Sequence, residues 1–107
     1  MRDKEVSKEY YIGLLGFSVL GEYDEYLIVQ NDGIEIHLFA FKELNVLENY
    51  GQVYIRTTNI SDLYLDLQKR NVSIHPNGHL EAKPWGQMEF SLLDPDHNLL
   101  TFGENIV

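Results

Sequence analysis

Cysteine is absent from the 107 residues of this sequence. Its absence excludes disulfide bonds, thiolate nucleophiles and cysteine-liganded metals, and it favours a cytoplasmic protein. Also missing is any run of about 18 apolar residues, which a membrane-spanning helix requires. The charged first residues lack the apolar segment of a secretory signal. We therefore expect one cytoplasmic domain over residues 1–107 with no membrane partner.

Basic residues are scarce, with 8 Lys and Arg against 17 Asp and Glu and a formal net charge of −9. Nucleic-acid binding requires clustered basic side chains that neutralise phosphates, so we expect no nucleic-acid partner. An acidic surface favours cationic ligands through its long-range field. Acidity also serves solubility alone, and composition does not separate these two interpretations.

The first part of the sequence predicts one helix followed by strands. Asp3 is a suitable N-cap and Gly16 a suitable residue to end the helix. The apolar positions of this helix are Val6, Tyr10, Tyr11, Leu14 and Leu15. The predicted strands cover residues 17–20, 26–29 and 34–39. Asp32 and Gly33 between the last two predict a hairpin.

The second part predicts the same elements after an additional strand at residues 52–57. Asn59 is the expected cap of a helix that Asn71 ends in the left-handed conformation. The later strands are predicted at residues 72–74, 88–93 and 99–102.

The order of elements indicates a repeated unit. Residues 26–38 correspond to residues 90–102 at a constant offset of 64. We predict an α+β fold of two modules, with module one at about residues 1–41, a connector at 42–51 and module two at about 52–107. Nothing before Asp3 corresponds to the strand at 52–57, so either the sequence is truncated at its start or the protein lacks this strand. The resulting unpaired sheet edge favours association with a second copy, so we expect a homodimer.

Period-two alternation separates each strand into an apolar and a polar side. The apolar side should face the helices. The polar side carries Gln52, Tyr54, Arg56, Glu35, His37, Phe39, Glu89, Ser91 and Thr101. Its mixture of aromatic and charged side chains is typical of a ligand-binding cleft. A plain solvent-exposed sheet face is the alternative interpretation.

Individual rings leave further alternatives open. Trp85, between Pro84 and Gly86, is the only tryptophan, and it is either a stacking platform for a ligand or a packed lid. His37 is either a titrating binding residue or a structural one. His75 and His79 are expected in solvent, and His97 is expected to adopt the left-handed conformation of a turn.

Three stretches are similar to motifs of one known family. Residues 7–17, SKEYYIGLLGF, resemble the FYxxxLGF stretch of the glyoxalase/bleomycin resistance/dioxygenase (vicinal oxygen chelate) superfamily. KPWG at 83–86, EF at 89–90 and DPDHNLLTFG at 94–103 resemble the PWGxxEF and DPDGNLLxFG motifs of its bleomycin-resistance branch. The resemblance implies two βαβββ modules forming a curved mixed sheet with a concave cleft, and dimers. In that branch the tryptophan of the PWG motif stacks on planar heterocycles of the drug, and the matching residue is Trp85.

Departures from the family pattern decide the predicted subclass. Enzymes of this superfamily bind a divalent metal through His and Glu, and the matching positions here hold Gln52 and Thr101, leaving His37 alone. One His does not supply the ligands that a catalytic ion needs. We therefore expect no metal, no cofactor and no catalytic residue.

The leading hypothesis is a metal-free protein that sequesters a small aromatic or cationic molecule. Its predicted ligand-binding residues are Trp85, His37, Phe39, Tyr54, Arg56, Glu35, Glu89 and Gln52. The alternatives are a metal-dependent enzyme of the glyoxalase or dioxygenase type and a degenerate dimerising domain.

Overall fold

A computed structural model describes residues 1–106. Helix α1 spans Lys4–Lys8 and continues as a π-helical segment at Glu9–Leu14, and helix α2 spans Ile60–Lys69. A 3₁₀ turn lies at Val46–Glu48. The strands are β1 (Ser18–Tyr23), β2 (Tyr26–Asn31), β3 (Ile34–Phe39), β4 (Gln52–Arg56), β5 (Glu81–Lys83), β6 (Gln87–Leu93) and β7 (Leu99–Asn105). None of the helices among these residues is long and apolar enough to cross a membrane.

The strands form two sheets in the order β1-β2-β3 and β4-β7-β6-β5. Strand β4 pairs with β7 in parallel and the other pairs are antiparallel. The predicted α+β class is confirmed. Where we expected one curved sheet, residues 1–106 form two sheets, with a break between β3 and β4.

The first helix begins and ends as its sequence predicts. The Asp3 carboxylate accepts hydrogen bonds from the backbone N–H groups of Glu5 and Val6. Gly16 has a φ of 80°, a left-handed conformation that glycine adopts without strain. The predicted apolar stripe is wrong at Val6, which is 45% exposed, while its neighbour Ser7 is buried.

The second helix is capped from a distance. Asn59 has a φ of 54° and its side chain makes no capping bond, so the predicted Asn59 cap is wrong. The carboxylate of Glu104 on β7 instead accepts hydrogen bonds from the N–H groups of Asn59 and Ile60, at 2.9 and 3.1 Å. At the other end, Asn71 has the predicted positive φ of 62°.

The predicted strand at residues 72–74 is not present. The Val72 N–H donates to the carbonyl of Leu67 at 3.0 Å, so this residue still belongs to the closing turn of α2. The place beside β6 is taken by His75 and Gly78, which each bond the backbone of Ser91 at 2.9 Å, and further along by β5. Strand β5 was not predicted because EAK has no apolar alternation.

The predicted division of the strands into two sides is confirmed. Their apolar side chains are buried between the sheets and the helices, and the fully or nearly fully buried ones are Leu27, Val29, Ile36, Leu38, Ile55, Phe90, Leu92, Leu100 and Phe102. Tyr11 joins this core from the π-helical segment, and its ring meets Phe17 edge-on. Burial of this apolar surface is the main stabilising contribution.

The acidic turn between β6 and β7 is structural. Asp94 is buried and accepts hydrogen bonds from the Tyr11 hydroxyl at 2.6 Å and from Asn98. Burial and the Asp94 charge raise the pKa of Tyr11 far above its usual value. Buried Asp96 accepts from the Arg2 backbone and guanidinium at 3.0 and 2.8 Å. His97 in the same turn has a φ of 65°, as predicted.

Candidate functional site

The polar side of the second sheet is continuous across three strands. Cross-strand pairs place Tyr54 opposite Thr101 and Arg56 opposite Gly103. On the far side of β7, Glu89 pairs with Gly103. Because paired residues point to the same face of a sheet, Tyr54, Arg56, Thr101 and Glu89 share one surface.

Glu89 is the centre of this surface. Its side chain lies on a strand yet the residue is only 6% exposed. One carboxylate oxygen, Oε2, accepts a hydrogen bond from the Tyr54 hydroxyl at 2.7 Å and another from Trp85 Nε1 at 2.8 Å. Burial and this bond to Glu89 raise the pKa of Tyr54 above its usual value. A buried carboxylate is thus stabilised by two donors, as burial of a charge requires.

Gly103 allows Tyr54 to reach Glu89. A Cβ atom at Gly103 would lie 1.8 Å from the Tyr54 hydroxyl oxygen, which is far inside contact distance. The tyrosine ring therefore passes directly over the glycine of β7 to the carboxylate on β6. Glycine is needed here for close approach, not for an unusual backbone angle.

Trp85 is held at one edge and open elsewhere. It lies in the turn between β5 and β6, where Gly86 has a φ of 80° and donates its N–H to Lys83 at 3.0 Å. Although its indole N–H is fixed by Glu89, Trp85 remains 65% exposed. A small hollow of about 130 Å³ beside it is lined by Lys83, Glu89, Ser91, Thr101 and neighbouring residues. This arrangement favours a platform over a packed lid.

Arg56 borders the same surface. Its Nη1 donates to the side-chain oxygen of Gln87 at 2.9 Å, and its guanidinium carbon lies 5.7 Å from the centroid of the Tyr54 ring. The guanidinium is therefore turned toward the polar face.

A second polar cluster lies on β2 and β3. His37 Nδ1 is 2.8 Å from the Tyr26 hydroxyl, and His37 Nε2 is 2.9 Å from Glu35 Oε1. The side chains of His37 and Glu35 are 44% and 52% exposed, and Phe39 beside them is 62% exposed. Both ring nitrogens of His37 thus have partners, in contact with solvent.

The eight predicted binding residues fall into two groups. Trp85, Tyr54, Arg56 and Glu89 form the cluster on the second sheet. His37, Phe39 and Gln52 line a separate hollow of about 430 Å³ between β3 and β4, with Glu35 bonded to His37. These contacts do not join the two groups, so their roles in one binding site stay a prediction.

The residues at the metal-binding positions of the family do not fit a metal site. His37 and Gln52 line one hollow, whereas Thr101 lines another and its hydroxyl is 2.9 Å from that of Ser91. In residues 1–106 there is no group of three or more His, Asp or Glu side chains placed to hold an ion. A divalent ion bound by protein needs several N or O ligands around one point.

Three contributors to these clusters escaped prediction from sequence. Tyr26 is hydrogen-bonded to His37, and Gln87 is hydrogen-bonded to Arg56. Gly103 leaves space for the ring of Tyr54. Strand alternation already placed Gln87 on the face of Glu89, two residues away. The place of Gly103 depends on the pairing of β4 with β7, which no local pattern indicates.

The fold and the clusters define the class: a small α+β domain that presents rings and charges on the open faces of its sheets. Residues 1–102 match the family described as the Glyoxalase/Bleomycin resistance protein/Dioxygenase superfamily. The chain belongs to this superfamily, as its motifs predicted.

The relatives and solved structures that resemble this chain include proteins of the bleomycin-resistance branch. A bleomycin resistance protein from Geobacillus stearothermophilus is 22% identical, over 97% of this chain and 90% of the relative. A bleomycin resistance determinant encoded on the transposon Tn5 has a crystal structure similar to this one, with a TM-score of 0.89 and 22% identity over 100% and 92% of the two chains. The crystal structure of a bleomycin-binding protein complexed with bleomycin gives a TM-score of 0.85 with 23% identity over 98% and 92%. At these identities, the structural likeness shows the shared fold.

Proposed function

We propose that this protein binds a small, planar, cationic molecule on the polar faces of its sheets and does so without catalysing a reaction. The observation that carries the proposal is Trp85, whose edge is fixed by buried Glu89 while the residue stays 65% exposed. A ring held in place before binding loses little entropy when a flat ligand stacks on it. Stacking of this kind contributes about 0.5–1.5 kcal/mol beyond area burial.

The charge of the protein supports a cationic ligand. The net charge of −9 attracts a cation and repels an anion. Exposed aromatic rings at Trp85, Tyr54 and Phe39 offer cation–π contacts as well. Glu35 supplies an exposed carboxylate beside Phe39.

The relatives support the same class of ligand. Proteins described as bleomycin resistance and bleomycin-binding proteins share this fold over almost the whole chain. Bleomycin is therefore a reasonable first ligand to test, although the proposal requires only a planar cation. The cytoplasmic location stays a prediction.

Calorimetric titration with metal-free bleomycin tests the proposal, with Trp85 fluorescence as a second readout. We expect saturable heat that weakens when NaCl is raised from low to high concentration. Trp85→Leu should weaken binding roughly tenfold, the loss of one stacking contact. Tyr50→Leu, at an aromatic residue that is 84% exposed and lies outside both clusters, is the matched control. No heat and unchanged fluorescence at millimolar drug would exclude drug binding.

We also propose that two copies associate with their polar faces toward each other. Phe39, Tyr54 and Trp85 on those faces are 62%, 47% and 65% exposed, as expected for residues that meet a ligand, a partner or both. Such a homodimer would enclose the ligand between copies and join the two clusters. Sedimentation equilibrium is the test, and a monomer at all concentrations, with and without ligand, contradicts the proposal.

A further inference from the structure

The carboxylate of Glu89 has one oxygen that its cluster leaves open. Oε2 accepts hydrogen bonds from the Tyr54 hydroxyl and from Trp85 Nε1, at 2.7 and 2.8 Å. Within residues 1–106 the other oxygen, Oε1, accepts no hydrogen bond, and no enclosed side-chain oxygen or nitrogen lacks a partner. Oε1 is therefore not enclosed, although Glu89 as a whole is only 6% exposed. The open space that Glu89 borders is the hollow of about 130 Å³ beside Trp85.

Two hydroxyl groups line the same hollow. Ser91 of β6 and Thr101 of β7 are cross-strand partners, and their hydroxyl oxygens are 2.9 Å apart. A hydroxyl group has one proton and two acceptor lone pairs, so the bond between them uses one proton and one lone pair. Both oxygens keep the capacity to accept a further hydrogen bond. Glu89, Ser91 and Thr101 thus each offer the hollow an oxygen that can accept from a ligand.

The ion pairs of residues 1–106 leave Glu89 without a cationic partner. Lys83 also lines the hollow, but its ammonium pairs with Glu81 of the same strand at 2.5 Å. The Nδ1 of His79, another lining residue, is 3.3 Å from the Tyr64 hydroxyl. A carboxylate removed from water attracts a cation more strongly than a carboxylate in solvent does, because the surroundings screen its charge less.

The size of the hollow limits the group that it can hold. About 130 Å³ is the space of roughly four water molecules at about 30 Å³ each. This volume suits a group of a few heavy atoms and is too small for a planar ring system. The ring of a ligand would lie instead on Trp85, which borders the hollow and is 65% exposed. A primary ammonium is compact and carries three N–H donors, whereas a quaternary ammonium carries none.

We propose that this hollow is the subsite for a primary ammonium group of the ligand, and that Glu89 Oε1 is the atom that selects it. The ammonium donates to Oε1 and to the hydroxyl oxygens of Ser91 and Thr101, while the planar part of the same ligand stacks on Trp85. This inference rests on the proposed function. It narrows the planar cation to a planar ring that carries a protonated primary amine on a short linker.

Two cations separate this inference from the proposed function. Naphthylmethylammonium carries three N–H donors next to a planar ring, and its trimethylated analogue has the same ring and charge without a donor. Calorimetric titration should show that the primary ammonium binds about tenfold or more tightly, the size of effect expected from hydrogen bonds to a charged group. Stacking and net charge alone would bind both compounds.

Glu89→Gln tests the selecting atom. Tyr54 and Trp85 are both donors, so glutamine satisfies them by turning its amide oxygen toward them and its NH₂ group toward the hollow. The substitution thus keeps the cluster but replaces the acceptor in the hollow by a donor. We expect the preference for the primary ammonium to disappear, while the emission of Trp85, the only tryptophan, stays unchanged before ligand is added. Glu48→Gln removes the same charge at an exposed residue that does not line the hollow, and this matched control should keep the preference.

Thr101→Val is a second, independent variant, and it decides alone if Glu89→Gln does not fold. It removes one hydroxyl acceptor at similar shape and should reduce the preference about two- to tenfold. Equal binding of the two probes, with both weakened by Trp85→Leu, would overturn this inference and leave the proposed function standing. A preference retained in the substituted proteins would overturn it as well. No binding of either probe at millimolar concentration would overturn both the inference and the proposed function.

Discussion

The polar faces of the two sheets carry related clusters in different surroundings. On the first sheet, Glu35 holds His37 with both side chains about half exposed. On the second, Glu89 holds Tyr54 and Trp85 and is 6% exposed. A carboxylate in solvent is stabilised mainly by water, whereas a buried one depends on its protein donors.

One strand accounts for the difference. Strand β4 brings Tyr54 across Gly103 and over Glu89. Within residues 1–106 no strand pairs with the first sheet in the equivalent place, and the residue that corresponds to Gly103 is Phe39, which is 62% exposed. A neighbouring strand that supplies a side chain such as Tyr54 thus fixes the orientation of the polar side chains on this face. Preorganised groups are those that bind ligands at least entropic cost.

Removing each carboxylate gives the largest expected contrast. Glu89→Ala leaves the Tyr54 hydroxyl and the Trp85 indole without their acceptor, and we expect a loss of about 2–3 kcal/mol of unfolding free energy. Glu35→Ala, at an exposed site, should change it by less than about 0.5 kcal/mol. Urea denaturation of both variants measures the difference. Equal losses would show that Glu89 is not the structural centre of its cluster.

The close approach at Gly103 gives the next largest effect. Gly103→Ala places a methyl group 1.8 Å from the Tyr54 hydroxyl, so the ring must move away from Glu89. Overpacking of this kind costs about 1–3 kcal/mol. Gly13→Ala is the control, because its added Cβ meets nothing within 4 Å. The same urea experiment compares them, and a neutral Gly103→Ala would mean that Tyr54 finds another path to Glu89.

Local patterns predicted the parts of the fold that depend on local chemistry. The Asp3 cap, the left-handed Gly16 and Asn71, and the hairpin at Gly33 each follow from a few adjacent residues. The division of β6 and β7 into apolar and polar sides follows from alternation alone.

The failures lie where distant residues decide. Asn59 is a residue type that commonly caps helices, but the carboxylate of Glu104 on β7 accepts the hydrogen bonds at the start of α2. The break between β3 and β4, and the separation of His37 from Trp85, depend on how the two halves pack. Period and composition carry no information on such long-range placement.

The two helix caps give a smaller contrast between the halves. Glu104→Ala removes the acceptor for two N–H groups at the start of α2, and we expect a cost of about 1 kcal/mol. Asn59→Gly should be neutral or stabilising, because its side chain makes no capping bond and glycine fits a φ of 54° better. Thermal unfolding of both variants is the measurement. A larger loss for Asn59→Gly would restore Asn59 as the cap.

The smallest effect concerns alkaline pH and distinguishes the half-exposed Tyr54 from Tyr10 and Tyr11. In the folded protein the pKa of Tyr54 lies above its ordinary value of 10.0, so the unfolded chain loses this proton first as pH rises. Stability therefore falls as pH rises through 10, by a slope proportional to the difference in bound protons. Tyr10 and Tyr11, whose pKa values are raised mainly by burial, contribute in the same direction.

Tyr54→Phe should reduce this alkaline slope by less than one proton, and denaturation midpoints between pH 8 and 11 measure it. Because the bond to Glu89 also raises the pKa of Tyr54, Glu89→Gln should reduce the slope as well. An unchanged slope in both variants would contradict the bond between Tyr54 and Glu89.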